Sequence, residues 1–362
     1  MKKFKFYDII ECSSQQSIVT GQAGFGIRTM TQGLDEELAK QIVEQVSCAY
    51  EVDISAQVTA TQIEKDADVV KKFPRTFKYT AVKDDEGKEH HIIACSTYIG
   101  IDYGYFCGLD SAKRTGSNYI ADILVFNEKP TANLFSELIK QEVFLPVNNS
   151  CSPGNPELQA LLTGEPSYLE PREIEIEEVP PILNEQTALV AITLLQTKIN
   201  QDLGKDKGLQ NIVFQAQEAK VPSILESLAT LPDELVSDKY FHTNYLQGYG
   251  MPRGYRMMFL NEHNKEQVYT ENYVFLDLDE PKTQNIENGN IFFHKIMEAA
   301  IVNDYPAFLK QVDYICQNKM EDEMKGLPKI KYKDSSQGKK NQLLSKCKGF
   351  FKSLTNKKHT QK

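Results

Sequence analysis

In this chain of 362 residues no two cysteines are spaced Cys-x-x-Cys. No apolar stretch approaches the roughly 18 residues of a membrane span, and no glycine-rich loop ends in Gly-Lys-Ser or Gly-Lys-Thr. The seven cysteines (Cys12, Cys48, Cys95, Cys107, Cys151, Cys316, Cys347) are scattered and odd in number, which argues against a disulfide framework or a zinc site. A reducing cytoplasm is the expected home. The basic start, Met1-Lys-Lys-Phe-Lys5, meets Asp8 and Glu11 before any secretory apolar core forms. What is present is ordinary for a globular protein: 41% hydrophobic and 25% charged residues, in a length that admits two cored domains or one large one.

Charge is unevenly placed. From Lys325 to Lys362 there are 12 lysines against one acid, Asp334, a net +11. The other residues carry 29 basic and 49 acidic side chains, a net −20. An acidic body argues against non-specific nucleic-acid binding by the globular part. The tail is a separate object.

Hydrophobic patterning predicts an α+β fold of two mixed units with antiparallel strands. In the first (1–149), strands are expected at Phe4–Cys12, Phe25–Thr31, Thr76–Val82, His91–Tyr98 and Tyr119–Phe126. Helices are expected over 34–46, where Leu34, Leu38, Ile42 and Val46 share a face, over 59–71 and over 132–141. Tyr119–Phe126 is almost continuously apolar, as in a buried central strand, with Asp122 out of place in it. Residues 150–181, rich in Pro and Glu, read as a linker or arm whose Glu173–Glu177 alternation suits one edge strand. The second unit (182–319) shows helices at 184–202, 221–231, 291–302 and 305–316. Its strands are expected at 212–214, 240–249, 255–260 and 273–278, the middle two pairing around Pro252-Arg-Gly254.

Three glycine-marked segments stand out: Gly21-Gln-Ala-Gly-Phe-Gly-Ile-Arg-Thr29, Tyr98-Ile-Gly-Ile-Asp-Tyr-Gly104 and Arg114-Thr-Gly-Ser-Asn-Tyr-Ile-Ala-Asp122. Each abuts a β-rich stretch, so each is expected where a strand turns or another backbone comes close. The first is no nucleotide loop, because Gly26 is followed by Ile27 and Arg28. Arg28, Asp102, Arg114, Asn118 and Asp122 lie in or beside these segments. An arginine paired with a carboxylate there reads first as a salt bridge fixing the sheet. Catalytic signals are weak. His90 and His91 read as exposed loop histidines near a polar hairpin tip, and His242 as a strand histidine satisfied by a hydrogen bond. Asp277 and Asp279 would share a strand face able to hold Mg²⁺, or simply face solvent. No cofactor is expected.

The glycine segments in order, with Thr31-Gln-Gly-Leu-Asp35 between the first and second, resemble the N-terminal domain of the GTPase-associated protein 1 family. The stretch Ile224-Leu-Glu-Ser-Leu-Ala-Thr-Leu-Pro-Asp233 with the strand after it is similar to that family's helix, Leu-Pro turn and strand. The likeness spans about residues 6–148 and, more loosely, 184–250. It implies an accessory or adaptor component of a bacterial conflict (defence) system, partnered by a small GTPase-like protein, with Gly24, Phe25, Gly26, Arg28, Asp102, Arg114 and Asn118 at an interaction surface. One departure is Asn118-Tyr-Ile-Ala-Asp122, where the family pattern ends in histidine. The alternatives are a metal-dependent hydrolase or nuclease using Asp277, Asp279 or His242, and a membrane-surface effector acting through the tail.

In that tail (320–362), Leu343, Leu344, Cys347, Phe350, Phe351 and Leu354 form one apolar helical stripe flanked by Lys346, Lys348 and Lys352. Such a segment suits the anionic inner face of a membrane, an acidic partner or the acidic body itself; the plain alternative is a solubilising tail.

Overall fold

The computed structural model of the chain describes residues 1–46, 58, 60–72, 75–109, 118–131, 133–144, 154–177, 183–202, 211–215, 231, 235, 241–243, 257–260, 273–277 and 291–317. The fold is α+β, with eight helices among the described residues and one mixed, mostly antiparallel sheet.

The strands are β1 (Lys2–Ser14), β2 (Gly24–Thr31), β3 (Thr76–Lys83), β4 (Glu89–Tyr98), β5 (Tyr119–Phe126), β6 (Ser167–Leu169), β7 (Arg172–Ile176), β8 (Asn211–Gln215), β9 (Phe241–Thr243), β10 (Met257–Leu260) and β11 (Tyr273–Asp277). The helices are α1 (Glu36–Val46), α2 (Ala60–Lys65), α3 (Tyr103–Phe106), α4 (Leu134–Lys140), α5 (Pro156–Thr163), α6 (Glu185–Asp202), α7 (Ile291–Ile301) and α8 (Tyr305–Gln317). A 3₁₀ turn spans Ala67–Lys72. Across the sheet the order is β11-β8-β10-β9-β3-β4-β5-β1-β2-β6, and β7 also pairs with the first half of β1.

Period-2 alternation divides the central strands between two cores. On one face Phe4, Phe6, Phe77, Ile93, Leu124 and Phe126 meet α4, α6, α7 and α8, with Phe77 edge-on to Phe135 at 5.5 Å. On the other, Ile9, Ile92, Ala94, Ile123 and Val125 meet Leu38, Ala39 and Ile42 of α1. Burial on both faces is why β5 reads as continuously apolar. Each of the larger side chains among these contributes about 1.5–3 kcal/mol by leaving water.

α1 begins where Asp35 Oδ1 accepts from the Leu38 N–H at 2.9 Å, with Glu36 and Glu37 in the first turn. Its last turn holds no basic residue. The buried ammonium of Lys78 on β3 supplies one by donating to the Val46 carbonyl.

Several expectations change. Of the stretch read as a linker or arm, 154–177 holds α5, β6 and β7, because Ile174 and Ile176 have the first core to enter. The edge strand expected at Glu173–Glu177 is β7. On it Gln141 Nε2 donates to the Glu175 carbonyl at 3.4 Å and Asn133 Nδ2 to that of Glu177, so α4 guards this sheet edge. The strands of the second half run parallel (β8, β10 and β11 together, β9 beside β10) rather than antiparallel around Pro252-Arg-Gly254. β9 joins β3, and the first core runs from Phe4 to Ile315, so both halves share one sheet and one core. His90 and His91 are strand residues of β4 and are buried: His90 Nε2 bonds Asp84 Oδ2 at 2.9 Å and His91 Nδ1 the Tyr79 hydroxyl at 3.3 Å. Partners on the β3–β4 hairpin draw both rings in.

Candidate functional site

The glycine segments meet at one end of the sheet. On β2, Ile10 pairs with Thr29 but Glu11 pairs with Ile27, leaving Arg28 as a bulge. The bulge turns Arg28 towards the last turn of α5. Its Nε donates to the Leu161 carbonyl at 2.6 Å and its Nη2 to that of Ala160 at 3.3 Å, while the Gln15 N–H takes the Leu162 carbonyl at 2.7 Å. Two orphan carbonyls of the helix, those of Leu161 and Leu162, are thereby satisfied, Ala160 already accepting from the Gly164 N–H at 2.9 Å, and a cation stands at the negative end of the helix dipole. The first turn is fixed as firmly: Asn155 Oδ1 accepts from the Glu157 and Leu158 N–H groups, and Pro156 opens the helix. Burial pulls Arg28 below its usual range, and its Nη1 meets no hydrogen-bond partner among the described residues.

Gly26 is required by a close approach. A Cβ there would stand 2.8 Å from Ser17 Oγ, because the 15–22 loop folds back along β2 through Ile18 N–H to the Ile27 carbonyl at 2.7 Å. Between Gly24 and Gly26, Phe25 is 47% exposed and stacks on Tyr119 with ring centroids 4.9 Å apart.

The second and third segments join through β4 and β5. Tyr98 and Tyr119 are register partners, and the Asn118 carbonyl accepts from the Ile99 and Gly100 N–H groups at 2.9 and 3.3 Å. Gly100 has φ +69, and a Cβ on it would lie 2.6 Å from Ile63 Cδ1, so its bareness admits α2. Asp102 stands at the start of α3 without a side-chain cap bond, and Tyr105 on that helix donates to Glu64 Oε1 at 2.9 Å.

The structure thus brings Gly24, Phe25, Gly26 and Asn118 to one end of the sheet, with Asp102 just beyond β4. Arg28 belongs to α5. Arg114 lies outside the described residues, as do Asp279 and the tail residues Leu343, Leu344, Lys346, Cys347, Phe350, Phe351 and Leu354. His242 and Asp277 are not brought together: β9 and β11 are three strand spacings apart in the sheet, about 14 Å. Among the described residues no group of three or more His, Cys, Asp and Glu is placed to hold a metal ion. No helix among them is long and apolar enough to cross a membrane.

Sequence reasoning missed a buried ion pair. Asp8 of β1, 1% exposed, receives Arg172 of β7 on both oxygens, Nε to Oδ2 at 3.0 Å and Nη2 to Oδ1. The same guanidinium donates to the Val143 carbonyl at 3.2 Å and covers the Phe6 ring at 5.0 Å. The bond to Asp8 outweighs burial in raising Arg172 above its usual value, with the charges of Asp8 and Asp122 adding to it. Two signals pointed here: an acid in each of two apolar strands, and a lone base in the acidic run Glu165–Glu177. Cys12, on the strand next to Asp122, is pushed up to about 12 by burial despite the nearby Arg28, so its thiol stays protonated. Compared with protein-family models, with curated proteins and with solved structures, the chain matches none of them.

Proposed function

We propose that the chain is a non-enzymatic adaptor of a GTPase-linked bacterial conflict system, and that it engages a small GTPase-like partner at the glycine-framed end of its sheet. The resemblance of the three glycine segments supplies the partner class. The observation that carries the surface is Phe25, held half in solvent on Tyr119 by a glycine on either side. An exposed, pre-positioned aromatic is the kind of group that anchors protein interfaces at low entropic cost. The +11 tail, with its stripe of Leu343, Leu344, Cys347, Phe350, Phe351 and Leu354, adds a separate contact, to an anionic membrane.

The test is affinity purification of the tagged chain from its native host, with and without a non-hydrolysable GTP analogue. Recovery of a small GTPase, lost on Phe25→Ala but kept on deleting residues 338–362, supports this reading. Recovery of no GTPase in either nucleotide state overturns it.

A further inference from the structure

Arg28 is a buried cation with an unused edge. The residue is 3% exposed, and the side of its guanidinium formed by Nε and Nη2 is taken up by the Leu161 and Ala160 carbonyls. The other edge, Nη1 beside the second hydrogen of Nη2, meets no acceptor among the described residues. None of their carboxylates acts on its charge either; the one titratable group that does is Cys12, whose thiol is protonated. The negative end of the α5 dipole offsets part of that charge but offers nothing to the free edge. A trapped water would satisfy the hydrogen bonds and leave the charge unanswered.

A second orphan donor lies at the same seam. Ser17 is 2% exposed, and its hydroxyl has no hydrogen-bond partner among the described residues. It stands against Gly26, the register partner of Cys12, and Arg28 acts on that same thiol, so the three gather on one face of the β1–β2 pair. The loop that carries Ser17 also holds the turn of α5 that Arg28 holds, through the Gln15 N–H on the Leu162 carbonyl. We propose that this seam, between the 15–22 loop, β2 and the last turn of α5, binds a small oxyanion, a carboxylate or phosphate group, on the free edge of Arg28 and the Ser17 hydroxyl. A guanidinium edge presents two parallel N–H groups that match two oxygens of such a group. The way in is the loop. Thr20 to Ala23 are exposed, and Gly21 and Gly24 take φ +65 and +130 with open space around them, so the loop can lift while β2 stays paired.

Thermal unfolding of the full chain tests this, in sodium chloride and in sodium phosphate or sodium acetate of equal ionic strength, for the unaltered chain and Ser17→Ala. General salt effects act on both chains alike, so the difference between them is the readout. In chloride, Ser17→Ala is expected to melt at or above the unaltered chain, because it removes a buried hydroxyl that has no partner. In at least one oxyanion the order is expected to reverse, with Ser17→Ala about 2–4 °C lower. Which salt reverses it tells a phosphate site from a carboxylate site. Arg28→Gln is expected to abolish the reversal; should it fail to fold, Ser17→Ala decides alone. Phe25→Ala is expected to leave the reversal intact, because Phe25 alternates with Gly26 onto the other face of β2, which separates this site from the adaptor surface. The same order in all three salts overturns the proposal, as does a Ser17→Ala that already melts lower in chloride.

Discussion

Arg172→Met strands a buried carboxylate, and its cost follows from which partner water can reach. Asp8 is 1% exposed, whereas the Arg172 side chain is 42% exposed. Methionine keeps the apolar stem over Phe6 while removing both donors to Asp8 and those to the Val143 carbonyl. Breaking a buried pair from one side costs about 3–5 kcal/mol; the half-exposed guanidinium places this case near the lower end, about 3 kcal/mol. Asp8→Asn leaves Arg172 a neutral acceptor and access to water, so about 1–1.5 kcal/mol is expected. Asp8→Leu with Arg172→Met removes both charges and refills the volume. It should fall within about 1 kcal/mol of the unaltered chain, well above Arg172→Met alone.

The chain contains no tryptophan, so far-UV circular dichroism through a urea series is the assay, with linear extrapolation. Amide exchange at Ile174 and Ile176 adds a local readout, because β7 is held on β1 by this pair and should open first. A loss below about 0.5 kcal/mol for Arg172→Met would refute the reasoning. So would a double variant as unstable as the sum of its parts.

Three further outcomes are expected. The bond from His90, aided by the Lys88 and Glu86 N–H groups, holds Asp84 below the usual carboxylate range. Its contribution to the β3–β4 hairpin is therefore complete above the ordinary aspartate value and is lost as pH falls through the depressed one. An NMR titration of the Lys88 and Glu86 amides should show a midpoint below that ordinary value, and one at or above it would contradict the geometry. In the native protein Cys107, exposed after α3, should react rapidly with N-ethylmaleimide. Buried Cys12 and Cys95 should stay unlabelled until urea is added, as peptide mass spectrometry can show. Gly26→Ala should cost about 1–3 kcal/mol by crowding Ser17, and Ser17→Gly in the same chain should restore most of it; no recovery in the thermal melt would mean another contact needs the glycine.

How far the sequence could be read depended on whether a residue's reason was local. The helix over 36–46 was legible because its acid-rich start and its stripe of Leu38, Ile42 and Val46 lie within one segment. β5 was legible from its apolar run alone. Asp122 stands out in its apolar strand, but the arginine found beside the sheet's buried acids is Arg172, in a segment whose Pro and Glu content reads as surface. Its acids face solvent on every second residue while Ile174 and Ile176 face the core, a pattern only five residues long. The parallel pairing of β9 and β10 was hidden for a related reason: strand direction is set by what the intervening chain packs on, and spacing along the sequence does not record it.

The glycine segments show the same division inside one site. The expectation there is a strand turn or a close backbone: at Gly26 and Gly100 the close neighbours are side chains, Ser17 and Ile63, while Gly21 and Gly24 take positive φ with open space around them. Arg28 looked like a member of the same surface, yet one extra residue in β2 turns it onto α5. A bulge changes the destination of one side chain and leaves the alternation on either side intact. The arginine in the motif is therefore a clamp for a helix 130 residues further along the chain, and the group that the motif presents outward is Phe25. A substitution at Arg28 that lowered partner recovery would act by loosening α5; one at Phe25 would act at the contact itself. Only the second should leave the urea midpoint where it was.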